Sequence, residues 1–256
     1  MSVAPFAGRR FLLTGAASGI GRATALRLAA GGGAIAGLDR DAAGLAEVVA
    51  TVESAGGRML GLRADVTDLP AIEQAVATTV AELGGLEGVA NIVGIGNFTG
   101  DVTETDPDDW SGVLAVNLTG TYNVSRATIP HLRPRGGSIV NVSSQFGLVG
   151  CLSSPAYCAS KAAVIGLTRA MALDHAPDRI RVNCVCPGPT DTPMLAGAAG
   201  TPELTERERR RTEHRNLVGR LTRPDEIAAT IAFLLSDDTG STTGSVVTVD
   251  GGWTAG

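Results

Sequence analysis

The chain has 256 residues, of which 44% are hydrophobic but only 4% aromatic, with 34 glycines and a net charge of −5. A pI near 5.2 leaves no basic footprint for nucleic acid, and no apolar run approaches the roughly 20 residues that cross a bilayer. Residues 1–10 lack the apolar core of a signal peptide, so a cytoplasmic protein without a nucleic-acid or membrane partner is expected.

Strand-like apolar runs and helical patterns alternate along the chain. Residues 11–14 read as a short buried strand, 20–30 as a helix stopped by Gly31-Gly32-Gly33, and 34–38 as a second strand. A helix over 41–55, a strand over 60–64, a helix over 69–83 and a strand over 89–93 follow. Residues 108–131 read as one long helix and 138–142 as a fifth strand. Ser154 and Pro155 suit the cap and first turn of a helix that runs from 157 to 175. Residues 180–185 and 245–249 are the last strands, with a helix over 224–235 between them. Such βαβ order predicts a Rossmann-type, doubly wound parallel α/β sheet of about seven strands with helices on both faces, in one domain over residues 1–256.

Residues 190–223 break this rhythm with a Gly/Ala/Pro stretch, then a segment holding Arg207, Arg209, Arg210 and Arg211. An insertion of that length beyond a strand's C-terminal end reads as a substrate lid. Its charges read as a solvated helix with ion pairs such as Glu206 with Arg210. Cys151, Cys158, Cys184 and Cys186 show no metal-ligand spacing and read as buried free thiols. His131, His175 and His214 are scattered, which suits surface or capping positions and gives no metal site.

Thr14-Gly15-Ala16-Ala17-Ser18-Gly19-Ile20-Gly21 joins the first strand to the first helix. Glycines there let the backbone approach a pyrophosphate, and the helix N-terminus favours its charge. Asp39 ends the second strand 18 positions after Gly21, near the offset at which a carboxylate meets the adenosine ribose. A carboxylate accepts from both ribose hydroxyls and repels a 2′-phosphate, which favours NAD. Arg40, next door, suits a phosphate and keeps NADP open. Asp65 suits either the adenine amino group or the cap of the following helix.

Of 21 basic side chains only Lys161 is a lysine, and it lies four residues after Tyr157, one of two tyrosines. On a helix the two share a face. Making tyrosine a base near neutral pH means lowering its pKa by about 3 units, or about 4 kcal/mol of phenolate stabilisation. A compact ammonium together with an oxidised nicotinamide ring would supply it in a dry pocket.

These residues, with Asn117 and Ser144, resemble the glycine-rich segment and catalytic tetrad of the classical short-chain dehydrogenase/reductase family. The resemblance runs over essentially the whole chain, including Asn141-Val142-Ser143-Ser144, Arg181-Val182-Asn183, Pro187-Gly188 and Asp250-Gly251-Gly252. The family's serine precedes the tyrosine by 13 residues, which selects Ser144 over Ser143, and a further 27 residues back stands Asn117.

The resemblance implies hydride transfer between a nicotinamide cofactor and a small-molecule secondary alcohol or ketone. Ser144 would donate to the substrate oxygen, Tyr157 act as general acid or base, Lys161 tune Tyr157 and hold the ribose, and Asn117 hold a relay water. Cofactor contacts are expected from Gly15, Ser18, Gly19, Ile20, Gly21, Asp39, Arg40, Asp65, Val66, Asn91, Gly94, Tyr157, Lys161, Pro187, Gly188, Thr190 and Thr192. Substrate contacts are expected from Ser144, Gln145, Phe146, Val149, Cys151, Tyr157, Gly188 and Met194, which suits an apolar compound with one polar contact at Gln145. The resemblance also implies a homotetramer built on the helices beginning near Asp108 and Ser154.

Two positions depart from the family pattern. Asn91-Ile92-Val93-Gly94 stands where Asn-Asn-Ala-Gly is usual, and Thr190 where an aliphatic residue is usual. The expected function is NAD-dependent interconversion of a secondary alcohol and a ketone, with oxidation the favoured direction. Its alternatives are an NADP-dependent ketone reductase and a catalytically silent NAD-sensing module.

Overall fold

A computed structural model describes residues 4–96, 100–198 and 215–256. Seven strands, β1 (Arg10–Thr14), β2 (Ala34–Asp39), β3 (Arg58–Arg63), β4 (Gly88–Asn91), β5 (Gly137–Val142), β6 (Ile180–Pro187) and β7 (Val246–Val249), form one parallel sheet. Their order is β3-β2-β1-β4-β5-β6-β7. The helices are α1 (Gly19–Ala30), α2 (Ala42–Ser54), α3 (Leu69–Leu83), α4 (Pro107–Leu114), α5 (Gly120–Leu132), α6 (Pro155–Asp174), α7 (Pro193–Ala198) and α8 (Pro224–Leu235).

The period-2 alternation of the strands splits the core into two layers. Phe11, Leu13, Ile35, Val140 and Val185 face α1, α2 and α8, meeting Leu28, Val48 and Ile231. Leu12, Val89, Ile139 and Val182 face the other way onto Ile72 of α3, Val124 of α5 and Met171 of α6. Strands buried on both sides need continuous apolar runs. The sheet is therefore doubly wound, and the chain reverses direction across it between β1 and β4, where a crevice opens beyond the strand ends.

Three expected boundaries shift for identifiable reasons. β3 begins at Arg58 rather than residue 60, because the edge strand keeps pairing with β2 through the exposed Arg58 and the buried Met59. β4 stops at Asn91 rather than residue 93, because the N–H groups of Ile92 and Val93 donate to Thr14 Oγ1 instead of to a strand. The expected long helix is three pieces: α4, capped by Asp106, a π-helical turn over Ala115–Thr119, and α5. A π turn inserts an extra residue into the helical ladder; the hydrophobic repeat on either side does not register it.

Capping follows the sequence closely. Asp41 accepts from Ala43 and Gly44 at the start of α2, and Asp68 accepts from Ala71 at the start of α3. Each such cap is worth about 1 kcal/mol. Ser154 stands at the cap position of α6 without capping it, and its hydroxyl bonds Cys151 instead. His175 ends α6, with Nδ1 3.1 Å from Asp178. Cys184 and Cys186 are buried free thiols, whereas Cys151 and Cys158 are partly exposed. The latter two belong to the loop before α6 and its first turn, where no second layer covers them. Arg207, Arg209, Arg210, Arg211, the Glu206–Arg210 pair and His214 lie outside the described residues.

Candidate active site

A cleft of about 460 Å³ follows the C-terminal strand ends on both sides of the crevice. At one end the turn after β1 brings its backbone to the surface. Gly15 and Gly19 take positive φ values of 69° and 50°, and a Cβ on Gly21 would collide with the Gly15 carbonyl. Closing the tight turn that opens α1 therefore depends on bare backbone at these positions. Gly15, Ser18, Gly19, Ile20 and Gly21 all line the cleft.

Asp39 stands beside them, held by backbone donors. Its Oδ2 accepts from Ala17 N at 3.0 Å and its Oδ1 from Asp41 N at 3.0 Å. Arg40, Asp65 and Val66 complete this end. Asp65 does not cap α3, a position taken by Asp68; its Oδ1 accepts from Thr67 N and Oγ1 at 2.9 and 2.8 Å, which holds its carboxyl below the usual range. Arg40 and Arg63 line an adjoining cleft of about 630 Å³.

At the other end, α6 carries Tyr157 and Lys161 on one face, and β5 delivers Ser144 opposite them. The Ser144 hydroxyl bonds the Tyr157 phenol and accepts from Phe146 N at 3.2 Å. Ser143 points elsewhere: its Oγ donates to the Lys161 carbonyl at 2.7 Å. Lys161 is 3% exposed, with Nζ 5.7 Å from the Tyr157 ring centroid and donating to the Val142 carbonyl at 3.0 Å. Gly94 lies directly over it, and a Cβ there would stand 2.9 Å from Nζ and 3.3 Å from Asn117 Oδ1. The space is shaped for a narrow ammonium, and a guanidinium has no room to spread.

Burial dominates the electrostatics of this end. It pushes the Tyr157 phenol up to about 12, with the Ser144 hydrogen bond acting the other way, and pushes the Lys161 ammonium down to about 8. The expected lowering of Tyr157 rests on Lys161 together with an oxidised nicotinamide ring, and in the chain by itself burial sets the direction. Desolvation outweighs an ammonium that is separated from the ring and shared with a carbonyl.

Asn117 sits in the π turn. Its Oδ1 accepts from Ile95 N at 2.8 Å, and its Nδ2 donates to Ile95 O and Ser160 Oγ at 2.9 and 3.0 Å. Ser160 in turn donates to the Tyr157 carbonyl at 2.8 Å. The extra residue of the π turn thus lets one side chain tie the loop after β4 to the first turns of α6.

Gly94, Pro187, Gly188, Thr190 and Thr192 line the cleft, as do Gln145, Phe146 and Met194. Gln145 is buried and its Oε1 has no partner among the described residues. Asn91, Val149 and Cys151 are not part of the lining. Asn91 Nδ2 donates to Asn141 Oδ1 at 2.8 Å and Ser125 Oγ at 3.1 Å, and Asn141 continues to Thr168 at 3.0 Å. It joins β4, β5, α5 and α6 beneath the site.

The sequence reading missed Thr14, Ser160 and Trp253. Thr14 fixes the loop after β4, and Trp253, in the turn Trp253–Ala255, forms part of the cleft wall. An aromatic residue in a chain with so few was a signal for Trp253. Nothing local marked the other two.

A family model described as enoyl-(acyl carrier protein) reductase matches residues 15–254. The cis-4-hydroxycyclohexanecarboxylate dehydrogenase of Sinomonas cyclohexanicum is 40% identical over 251 residues, covering 98% of both chains. The meso-2,3-butanediol dehydrogenase of Serratia marcescens is 36% identical, covering 98% of this chain and 96% of its own. The crystal structure of levodione reductase superposes with a TM-score of 0.94 at 34% identity, covering 98% of this chain and 99% of that one. With the parallel sheet, the glycine turn at the crevice and relatives matching end to end, the chain belongs to the short-chain dehydrogenase/reductase family, oxidoreductases that use a nicotinamide cofactor to act on CH–OH groups.

Proposed function

We propose that the protein is an NAD-dependent dehydrogenase that interconverts a secondary alcohol and a ketone, with Tyr157 as the general acid or base. The observation that carries this reading is the convergence of Ser144 and Lys161 on Tyr157 in the same cleft as the glycine turn and Asp39. The cradle fits a dinucleotide: bare backbone at Gly15, Gly19 and Gly21, a carboxylate at the end of β2, and Thr190 and Thr192 beyond β6. Its nicotinamide supplies hydride transfer.

The protein's own residues handle the proton and the orientation. Ser144 donates to the substrate oxygen and stabilises charge as it develops. Tyr157 removes the alcohol proton in oxidation and returns it in reduction. Since burial holds the phenol up to about 12, its ionisation needs positive charge brought in with the oxidised cofactor in addition to Lys161. Lys161 holds the ribose, and Asn117 braces the loop and supports proton exchange with solvent. Gln145 offers the substrate an acceptor in an otherwise apolar wall of Phe146, Met194 and Trp253.

The stretch from 190 to 223 acts as a lid within one domain of 256 residues. Its two ends are pinned together, with Asp191 N donating to the Thr222 carbonyl and Thr222 N to the Pro189 carbonyl, both at 2.9 Å. The long helices α4–α5 and α6 are proposed as the faces of a homotetramer, a point light scattering tests.

Asp39, a carboxylate lining the adenosine end of the cleft, favours NAD. Arg40 and Arg63 beside the adjoining cleft favour the second reading, an NADP-dependent reductase. Initial rates with NAD and NADP over cyclic, aliphatic and acidic secondary alcohols separate the two, and a strong NADP preference overturns the first. Turnover by Tyr157→Phe equal to that of wild type would overturn the mechanism.

A further inference from the structure

The reaction end of the cleft is closed by two segments distant in sequence. The Asp250 carboxylate accepts from the N–H groups of Gly252 and Thr254 at 3.0 and 2.9 Å, which fixes the turn bearing Trp253. Trp253 lines the cleft, and the Phe146 ring meets it edge-on with centroids 6.4 Å apart. The Arg215 guanidinium carbon lies over the Trp253 ring, 5.1 Å from its centroid.

Arg215 is held there by its neighbour. Asn216 is buried, its Oδ1 accepts from Val218 N at 3.0 Å, and a Cβ on Gly251 would collide with its side chain. Val218 N also donates to the Gly251 carbonyl at 3.3 Å. This end of the lid segment and the C-terminal turn thus lock together, with the guanidinium above the indole.

Stacking engages the flat face of a guanidinium and leaves its in-plane N–H fork free for a carboxylate or similar anion. Among the described residues Arg215 meets no carboxylate. The acidic ones of the cleft lining, among the described residues, are Asp39 and Asp65, both at the adenosine end beside Arg40. Among the described residues, then, no carboxylate of the cleft lining stands at the reaction end, and that of Asp250 is taken up by the N–H groups of its own turn. Burial raises the thiol of Cys151, which bonds Ser154 in the cleft wall, and Arg215 is a minor influence the other way, so the guanidinium lies near the rim.

We propose that Arg215, perched on Trp253, selects secondary alcohols or ketones that carry a carboxylate or comparable anionic group remote from the reacting carbon. The proposal rests on the dehydrogenase reading above and adds the substrate class. An apolar body would cross the wall of Phe146 and Met194 while the anion reaches the fork at the rim.

The test is a matched pair, a cyclohexanol bearing a carboxylate and its carboxamide, with the full chain and reduced nicotinamide cofactor. Binding is measured by calorimetry, and KM with oxidised cofactor. The carboxylate is expected to bind roughly tenfold more tightly, a margin set by a charge-assisted hydrogen bond at a partly exposed site and one that shrinks as salt is raised. Arg215→Gln should remove that margin by weakening the carboxylate far more than the carboxamide. Arg215→Lys should keep part of it through charge without the fork, and Trp253→Phe should retain most of it because a ring still lies under the guanidinium. Equal affinities for the pair in the unaltered protein, or an Arg215→Gln variant that weakens both alike, would overturn the proposal. If neither alcohol is oxidised with either cofactor the dehydrogenase reading fails, while the binding comparison still decides the role of Arg215.

Discussion

The two ends of the cleft are made of different materials. The adenosine end is mostly backbone: a turn of glycines, the first N–H groups of α1 and a carboxylate held by Ala17 and Asp41 amides. The reaction end is mostly side chain: Ser144 from the loop after β5, Tyr157 and Lys161 from α6, and Asn117 from a π turn, brought together from elements far apart in sequence. Backbone recognition needs room and conformation, so its requirements are local. Side-chain chemistry needs several groups in register, so it depends on packing. Substitutions at the first end should therefore change cofactor affinity or choice with kcat largely kept, and those at the second should change kcat, with cofactor affinity kept except at Lys161, which also serves the ribose.

The largest effect is expected at the reaction end. Tyr157→Phe removes the proton carrier and should lower kcat about 1,000-fold, while cofactor affinity, read by fluorescence titration, should stay within a few-fold. A comparable loss of cofactor binding would break the division between the ends. Lys161→Arg keeps the charge but puts a broad fork beneath Gly94, and should cost about 100-fold in kcat. Activity near that of wild type would show that charge alone matters there.

The third effect tests the same lysine through stability. In the folded chain Lys161 is pushed down to about 8, while in the unfolded chain it titrates near the ordinary lysine value. Between these values the unfolded state binds more protons, so this group makes stability rise with pH over that window. Lys161→Met should be relatively more stable below pH 8, by up to about 3 kcal/mol, with the advantage fading toward pH 10.5. Urea melts at several pH values measure it, and a pH-independent difference would contradict the buried charge.

The smallest effect belongs to the adenosine end. Asp39→Asn removes the repulsion toward a 2′-phosphate while Arg40 and Arg63 remain, and should shift the NAD-to-NADP preference about tenfold through KM. A change confined to kcat would blur the comparison between the ends.

Much of this was legible in the sequence, unevenly. The glycine turn, Asp39 and the Tyr157–Lys161 spacing follow from local geometry, so their neighbourhood could be read one segment at a time. The π turn at Asn117 could not, because a helix with one extra residue keeps an apolar face on either side of it. Asn91 carried the right identity for a cofactor contact, yet its amide joins Asn141 and Ser125 in the core. An asparagine's identity does not say which of several buried acceptors its amide will satisfy. How far burial raises the Tyr157 phenol in the chain by itself could not be read from the sequence, because the depth of the pocket is set by packing.

By itself the sequence determined the alternation of strand and helix, the two-faced burial of the sheet, the nucleotide turn and the choice of a lone lysine four residues after a tyrosine. These are short-range consequences of side-chain period, glycine conformation and helix pitch. Tertiary structure alone decided that Thr14 and Asn117 fix the loop after β4, that Gly94 roofs Lys161, and that Arg215 lies over Trp253 beside the cleft. Each joins segments separated by tens of residues, and such contacts are set by how the layers close rather than by any local preference of the chain.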